Sequence, residues 1–158
     1  MEIVNSKICK AKPKDVKNEK VIIPYGVKAI SSHAFWKNYN LEEITIPNNI
    51  LSIGTGAFQD CNNLKTVVFD QRTQQIYLHQ SVFKNTGIEK IEFPTNFLYK
   101  LPSDLFTNCL NLKEIYIPSS VEKLSLSAFR GCIFLDKIHW KNRIYSYDEF
   151  YPKIYNHG

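Results

Sequence analysis

Four cysteines and four histidines are the residues of this chain best suited to nucleophilic or metal chemistry. A reactive or metal-bound thiol needs histidine or carboxylate partners that converge on it, and the sequence contains no Cys-x-x-Cys pair. The phosphate-loop, HExxH, Gly-x-Ser-x-Gly and dinucleotide-glycine motifs are also missing. The sequence therefore predicts a non-enzymatic protein with no metal site and no cofactor.

The spacing of the cysteines indicates a structural role instead. Each of three cysteines, Cys61, Cys109 and Cys132, lies three residues after a phenylalanine, and Asn38 and Thr86 occupy the same position elsewhere. A position shared by Cys, Asn and Thr favours a small, modestly polar side chain, so we expect a buried ladder of unreactive thiols. A Cys109–Cys132 disulfide remains open as an alternative, because neighbouring strands lie about 5 Å apart.

The phenylalanines belong to an internal repeat. From Val21 onward the chain divides into units of 23, 23, 24, 24 and 23 residues, and a sixth apolar triplet begins at Ile138. Each triplet alternates core, surface and core at the period of a β-strand. Such units predict a solenoid of five coils, with stacked triplets forming a parallel sheet and one large ring per coil forming a spine. The spine residues are Phe35, Phe58, Phe83, Phe106 and Phe129.

The third unit departs from this pattern. Asp70 replaces the proline that follows the other triplets, and two extra residues precede Phe83. These changes predict a bulge in this coil and a smaller contribution of Phe83 to stability.

The repeat pattern of leucine-x-x-isoleucine-x-isoleucine-proline, with Ala-Phe and Cys at constant offsets, resembles the BspA-type (Treponema-type) leucine-rich repeat family. The resemblance covers residues 21 to 140 and is most specific in units two, four and five. It implies a leucine-rich repeat solenoid that binds proteins without catalysis and is often used in adhesion.

Both ends of the solenoid need caps, because an open coil exposes its core. One domain is expected, with an N-terminal cap at 1–20, five repeats at 21–137 and a C-terminal hairpin and helix at 138–158. The hairpin should turn at Lys141 and Asn142, and the helix should stop near Pro152. The tyrosines of this C-terminal segment are interpreted as a lid over the last coil.

The exposed middle positions of the triplets form the predicted binding face. A purely structural face has no need for apolar and aromatic groups in solvent, so this row indicates a contact site. The neighbouring row places Lys20 opposite Glu43 and Glu114 between Lys90 and Lys137, which is interpreted as cross-strand ion pairing. The predicted binding residues are Ile22, Thr45, Val68, Glu92, Tyr116 and His139.

Charge limits the class of partner. The net charge of +5 is concentrated in residues 1–20, whereas the repeats are nearly neutral, which disfavours nucleic-acid binding. A protein partner is expected, with a glycan less favoured, and a structural or self-associating unit in a homo-oligomer is the alternative. The N-terminus lacks a signal peptide and no segment reaches membrane-spanning length, so a cytoplasmic location is the default, with a cell-surface or secreted location as the family-based alternative.

Overall fold

The computed structural model describes residues 1–11, 20–73, 75–95 and 99–155. They form a stack of coils whose first side carries the triplets as short parallel strands. The strands of this face are β3 (Lys20–Ile22), β5 (Glu43–Ile46), β7 (Thr66–Phe69), β9 (Lys90–Glu92), β11 (Glu114–Tyr116) and β13 (Lys137–Trp140). The predicted solenoid of five coils with a parallel sheet face is confirmed.

Period-two burial explains why these strands form. The flanking residues of each triplet point into the core, as Ile44 and Ile46 do, while the central residue faces outward. Trp140 differs from this expectation, because it is only half-buried and donates from Nε1 to the carbonyl of Val121 at 3.2 Å.

The second side of the solenoid is built from two-residue parallel strands. Their inward residues are apolar and belong to the core, as Ile30, Ile53 and Leu101 do. Its strands are β4 (Ala29–Ile30), β6 (Ser52–Ile53), β8 (Tyr77–Leu78), β10 (Lys100–Leu101) and β12 (Lys123–Leu124).

The third side carries the phenylalanine spine and has its own hydrogen-bond ladder. In the first coil the N–H groups of His33, Phe35 and Lys37 donate to the next coil at 3.0, 2.8 and 3.0 Å. His33 and Lys37 reach this geometry through φ values of 57° and 56°. Left-handed backbone favours Gly, Asn and Asp over branched residues, which explains the composition of this side. The last coil replaces this turn with a 3-10 helix at Leu126–Phe129.

The third coil absorbs its extra length before the spine. Thr73 is buried and donates its backbone N–H to the carbonyl of Asp70 at 2.9 Å, as Ile50 does to Pro47 at 3.3 Å. The additional length falls between Thr73 and Tyr77, and β8 pairs with β6 in regular register. Phe83 is completely buried and stacked on both neighbouring rings, so the extra residues of this coil do not displace the spine.

Hairpins cover both ends. At the front, β1 (Glu2–Val4) and β2 (Lys7–Lys10) pair antiparallel, and β2 continues the second side by pairing with β4. At the back, β14 (Arg143–Tyr145) folds onto β13, and helix α1 (Tyr147–Tyr155) follows. The helix continues through Pro152, so the expected stop at that residue is wrong. Among the described residues, no helix has the length and apolar character needed to cross a membrane.

Candidate functional site

The cysteine ladder is fully internal. The Sγ atoms of Cys61, Cys109 and Cys132 donate hydrogen bonds of 3.0, 2.9 and 3.0 Å to phenylalanine carbonyls one coil earlier. Burial raises the thiol pKa of Cys61 and Cys132 to about 12 and that of Cys109 to about 11. All three are free thiols. They are buried donors, and they lack the thiolate character that nucleophilic chemistry requires.

The phenylalanine spine is a continuous stack of rings in the core. Its successive ring centroids lie 5.0, 5.6, 5.6 and 5.9 Å apart from Phe35 to Phe129. Phe150 of α1 closes the stack against Phe129 at 6.3 Å. The spine thus holds the coils, and with them the outer face, in a rigid arrangement.

The predicted binding row divides into two groups. Ile22, Thr45 and Val68 are neighbours in the three-stranded sheet of β3, β5 and β7. Glu92, Tyr116 and His139 are neighbours in the sheet of β9, β11, β13 and β14. Ile22 is 75% exposed and Val68 42% exposed, whereas Tyr116 and His139 are half-buried.

Tyr116 and His139 are joined by several contacts on this face. Their rings are nearly parallel at 8°, with centroids 3.9 Å apart. The Oε1 atom of Glu114 accepts a 3.1 Å bond from the Tyr116 hydroxyl and lies 2.9 Å from Nε2 of His139. The Lys90 ammonium pairs with Glu114 at 3.3 Å and lies 4.6 Å from the centroid of the Tyr116 ring.

The electrostatics of the cluster follow from Glu114. The hydrogen bond from His139 lowers the pKa of the Glu114 carboxyl, and contacts with Lys90 and Tyr116 lower it further against the opposing effect of burial. Glu114 therefore stays ionised and fixes two rings and one ammonium group. The repeat pattern predicts that Glu114 lies between Lys90 and Lys137, and the register of the strands agrees. The Glu114 carboxylate also contacts His139, which the pattern does not predict.

An open groove of about 430 Å³ lies beside this cluster. Glu92, Tyr116 and His139 line it from the sheet, and the turn of the β13–β14 hairpin forms its wall. Ile144 stands opposite His139 in the ladder and is 58% exposed. The groove is completed by Phe93, Thr95, Ile117, Pro118, Ser119, Trp140, Lys141, Asn142 and Arg143.

The hairpin wall is the part of the site that sequence analysis missed. The sequence does predict the turn at Lys141 and Asn142, which have φ values of 49° and 61° in the structure. Counting outward from that turn places Ile144 beside His139, which is the signal that could have extended the face.

Among the described residues, the other histidines do not join this site. His33 and His79 are exposed and lie on different sides of the solenoid from His139. Within the described part of the chain, no three His, Cys, Asp or Glu side chains come together as metal ligands.

Comparison with known proteins gives a family match across most of the chain. The model of the BspA type leucine rich repeat region matches residues 14–99 and 77–151, in six copies. No curated protein matches the chain significantly.

Solved structures from bacteria share the architecture. A leucine rich cell surface protein from Faecalibacterium prausnitzii is 28% identical over 91% of this chain, with a TM-score of 0.74. A leucine-rich repeat protein from Eubacterium ventriosum is 25% identical over 86% of this chain, with a TM-score of 0.70. The Treponema pallidum leucine rich repeat protein is 24% identical over 75% of this chain, with a TM-score of 0.68, and shows the fold alone.

The length of these relatives differs from that of this chain. This chain spans 36% of the Faecalibacterium protein, 38% of the Eubacterium protein and 57% of the Treponema protein. Family match, repeat pattern and observed coils agree, and the chain belongs to the BspA-type leucine-rich repeat family.

Proposed function

We propose that this leucine-rich repeat module recognises a protein partner by binding an extended segment of it in the groove beside Tyr116 and His139. The observation that carries the proposal is the ordered cluster of Tyr116, His139, Glu114 and Lys90 on an exposed strand face. Leucine-rich repeat modules generally bind proteins without catalysis, so recognition is the activity that the fold favours.

Rigidity favours binding at this cluster. Tyr116 is held by a stacked ring, a hydrogen bond to Glu114 and the Lys90 ammonium. A partner that contacts an already ordered side chain immobilises little further rotamer freedom. Large amphipathic rings with few rotatable bonds are accordingly frequent binding hot spots.

The shape of the groove favours a chain segment over an enclosed small molecule. The sheet supplies the floor and the hairpin one wall, while the remaining side opens onto the face. The exposed Ile144 offers an apolar contact at the wall, next to the aromatic floor. An apolar centre with polar groups at its edge is the usual anatomy of a protein interface.

Charge at the groove is mixed. The Lys141 ammonium lies 4.5 Å from the centroid of the Trp140 ring, and the Arg143 guanidinium carbon lies 5.0 Å from the centroid of the Tyr145 ring. Glu92 lines the sheet side of the groove. Because both signs are present, binding should weaken only moderately as the salt concentration rises.

The description of one relative supports a role of this recognition in adhesion. The Faecalibacterium relative is described as a leucine rich cell surface protein, and this chain matches a part of it. We propose a partner presented outside the cell on this ground.

The test replaces Tyr116 and His139 together by Ser and compares partner capture with the wild type. The matched control replaces His33 and Trp36 by Ser, because this second aromatic–histidine ring pair lies on another side, with centroids 6.2 Å apart. The proposal predicts loss of a specific protein partner for the first variant and retention for the control. Equal capture by both variants would place the contact elsewhere, and capture of only further copies of the chain would favour a self-associating unit.

A further inference from the structure

The hydrogen-bond ladder of the second side stops between the third and fourth coils. The residue after each strand elsewhere donates its N–H to the preceding coil, as Ser31 does to Ile8 at 2.9 Å and Ser125 to Leu101 at 3.3 Å. Gly54 and His79 repeat this bond at 2.8 and 3.0 Å. Pro102 occupies the same position in the fourth coil and has no N–H to donate.

The sheet divides at this proline. Within the described residues, β8 is the last strand of one sheet, and β10 pairs only with β12 in another. The coils nevertheless stay stacked through the spine, because Phe83 and Phe106 are 5.6 Å apart and the Phe83 N–H donates to Leu105 at 3.0 Å. The separation is therefore a surface groove between two packed coils.

The groove is larger than the one on the strand face. Its volume is about 610 Å³, within the range of ligand-binding clefts. Its lining residues are Thr55, Gln75, Ile76, Tyr77, Leu78, His79, Gln80, Tyr99, Lys100, Pro102 and Ser103.

Two aromatic rings stand exposed at this groove. Tyr77 is 66% exposed and packs edge-on against His79 at 70°, and Tyr99 of the next coil is 47% exposed. Ile76 and Leu78 are buried, so the rings of Tyr77 and Tyr99 are the exposed apolar surface of the lining. An exposed aromatic ring at a groove offers a flat apolar surface to a ligand.

The polar lining is almost uncharged. The amides of Gln75 and Gln80 both donate and accept hydrogen bonds, and Thr55 and Ser103 supply hydroxyl groups. Lys100 is the single charged side chain among the lining residues described, and no carboxylate is among them. A single ammonium group is a weak basis for binding a phosphate-rich ligand.

We infer that this groove is a binding site for a neutral oligosaccharide. A sugar ring has an apolar C–H face, which matches Tyr77 and Tyr99, and a rim of hydroxyl groups, which matches donor–acceptor amides. A peptide strand is disfavoured, because the stacked spine holds the two coils too close for an added strand between them. This site is on another side of the solenoid and does not depend on the proposed protein-binding face.

The experiment uses saturation-transfer NMR with neutral probes, namely lactose, N-acetyllactosamine, maltotriose, cellotriose and chitotriose. The test variant replaces Tyr77 and Tyr99 by Ala, and the control is His33→Ser with Trp36→Ser, two positions that line neither groove. We expect at least one probe to bind the wild type and the control equally, and to bind the test variant about tenfold more weakly. Absence of transfer to every probe, or equal binding by the test variant, would overturn the inference.

A second variant tests the groove without removing a ring. Pro102→Ser introduces the N–H that Ser31 and Ser125 use in their coils, and it should join β10 to β8. We expect this variant to melt at a higher temperature and to bind the sugar more weakly. Higher stability with unchanged sugar binding would contradict the assignment of the site to this groove.

Discussion

The imidazole of His139 stacks on the phenol of Tyr116 with 3.9 Å between the ring centroids, and one carboxylate oxygen of Glu114 contacts both side chains. Two adjacent coils are thereby joined on their outer face by an aromatic and an electrostatic contact at once. The face is ordered before any partner arrives, which is the physical basis of the proposed recognition site.

Glu114 should make stability depend on pH in the acid range. Its pKa is lower in the folded chain than in the unfolded chain, chiefly because of the hydrogen bond to His139 and then of Lys90 and Tyr116. The stabilisation is therefore complete above about pH 5 and disappears as the pH falls through the folded-state pKa.

The measurement is the free energy of unfolding of wild type and Glu114→Gln in urea at several pH values. The difference between them should be largest near neutrality and shrink on acidification. A difference that stays constant throughout the acid range would refute the role given to this carboxylate.

The phenylalanine spine should dominate the stability of the solenoid. Phe58→Ala and Phe106→Ala each leave a cavity in a stack of buried rings, so we expect a loss of about 3–5 kcal/mol in the free energy of unfolding. Phe83→Ala should cost a similar amount, because Phe83 is equally buried and has a ring on each side at 5.6 Å.

Urea denaturation of the three variants checks this prediction. A clearly smaller loss for Phe83→Ala would mean that the irregular third coil loosens the spine, as the sequence pattern alone suggests.

The ladder thiols should resist modification in the folded protein. The thiols of Cys61, Cys109 and Cys132 are buried and donate to carbonyl oxygens, and burial raises their pKa to about 11 or about 12. Cys9 is exposed. Iodoacetamide at mildly alkaline pH should therefore label Cys9 alone, and urea should expose the other three. Fast labelling of Cys61 in the native chain, read by mass spectrometry, would show that the ladder opens.

The coil architecture could be predicted from sequence because it depends on a repeated local pattern. Alternation at period two places residues such as Ile115 inside and Tyr116 outside, and the repeat length places Lys20 opposite Glu43, which pair at 2.9 Å. Strand register in a solenoid is simply the repeat offset, so the neighbours on the face follow directly.

The grooves were harder to predict because they arise where the repeat is broken. One is walled by a hairpin outside the repeats, and the other lies between β8 and β10, where the ladder stops and Pro102 has no N–H to donate. The reach of Glu114 to His139 depends on side-chain rotamers, which a repeat pattern does not specify. These departures from regularity account for the difference between the predicted row of binding residues and the candidate sites.

The role of the strand face is tested most directly by the dissociation constant of a captured protein partner, measured by calorimetry. Wild type, Tyr116→Ser with His139→Ser, and the control His33→Ser with Trp36→Ser should first be shown to melt alike. We predict that the face variant binds the partner at least about tenfold more weakly and that the control binds as wild type does. A dissociation constant unchanged by loss of Tyr116 and His139 would contradict the assignment of recognition to this face.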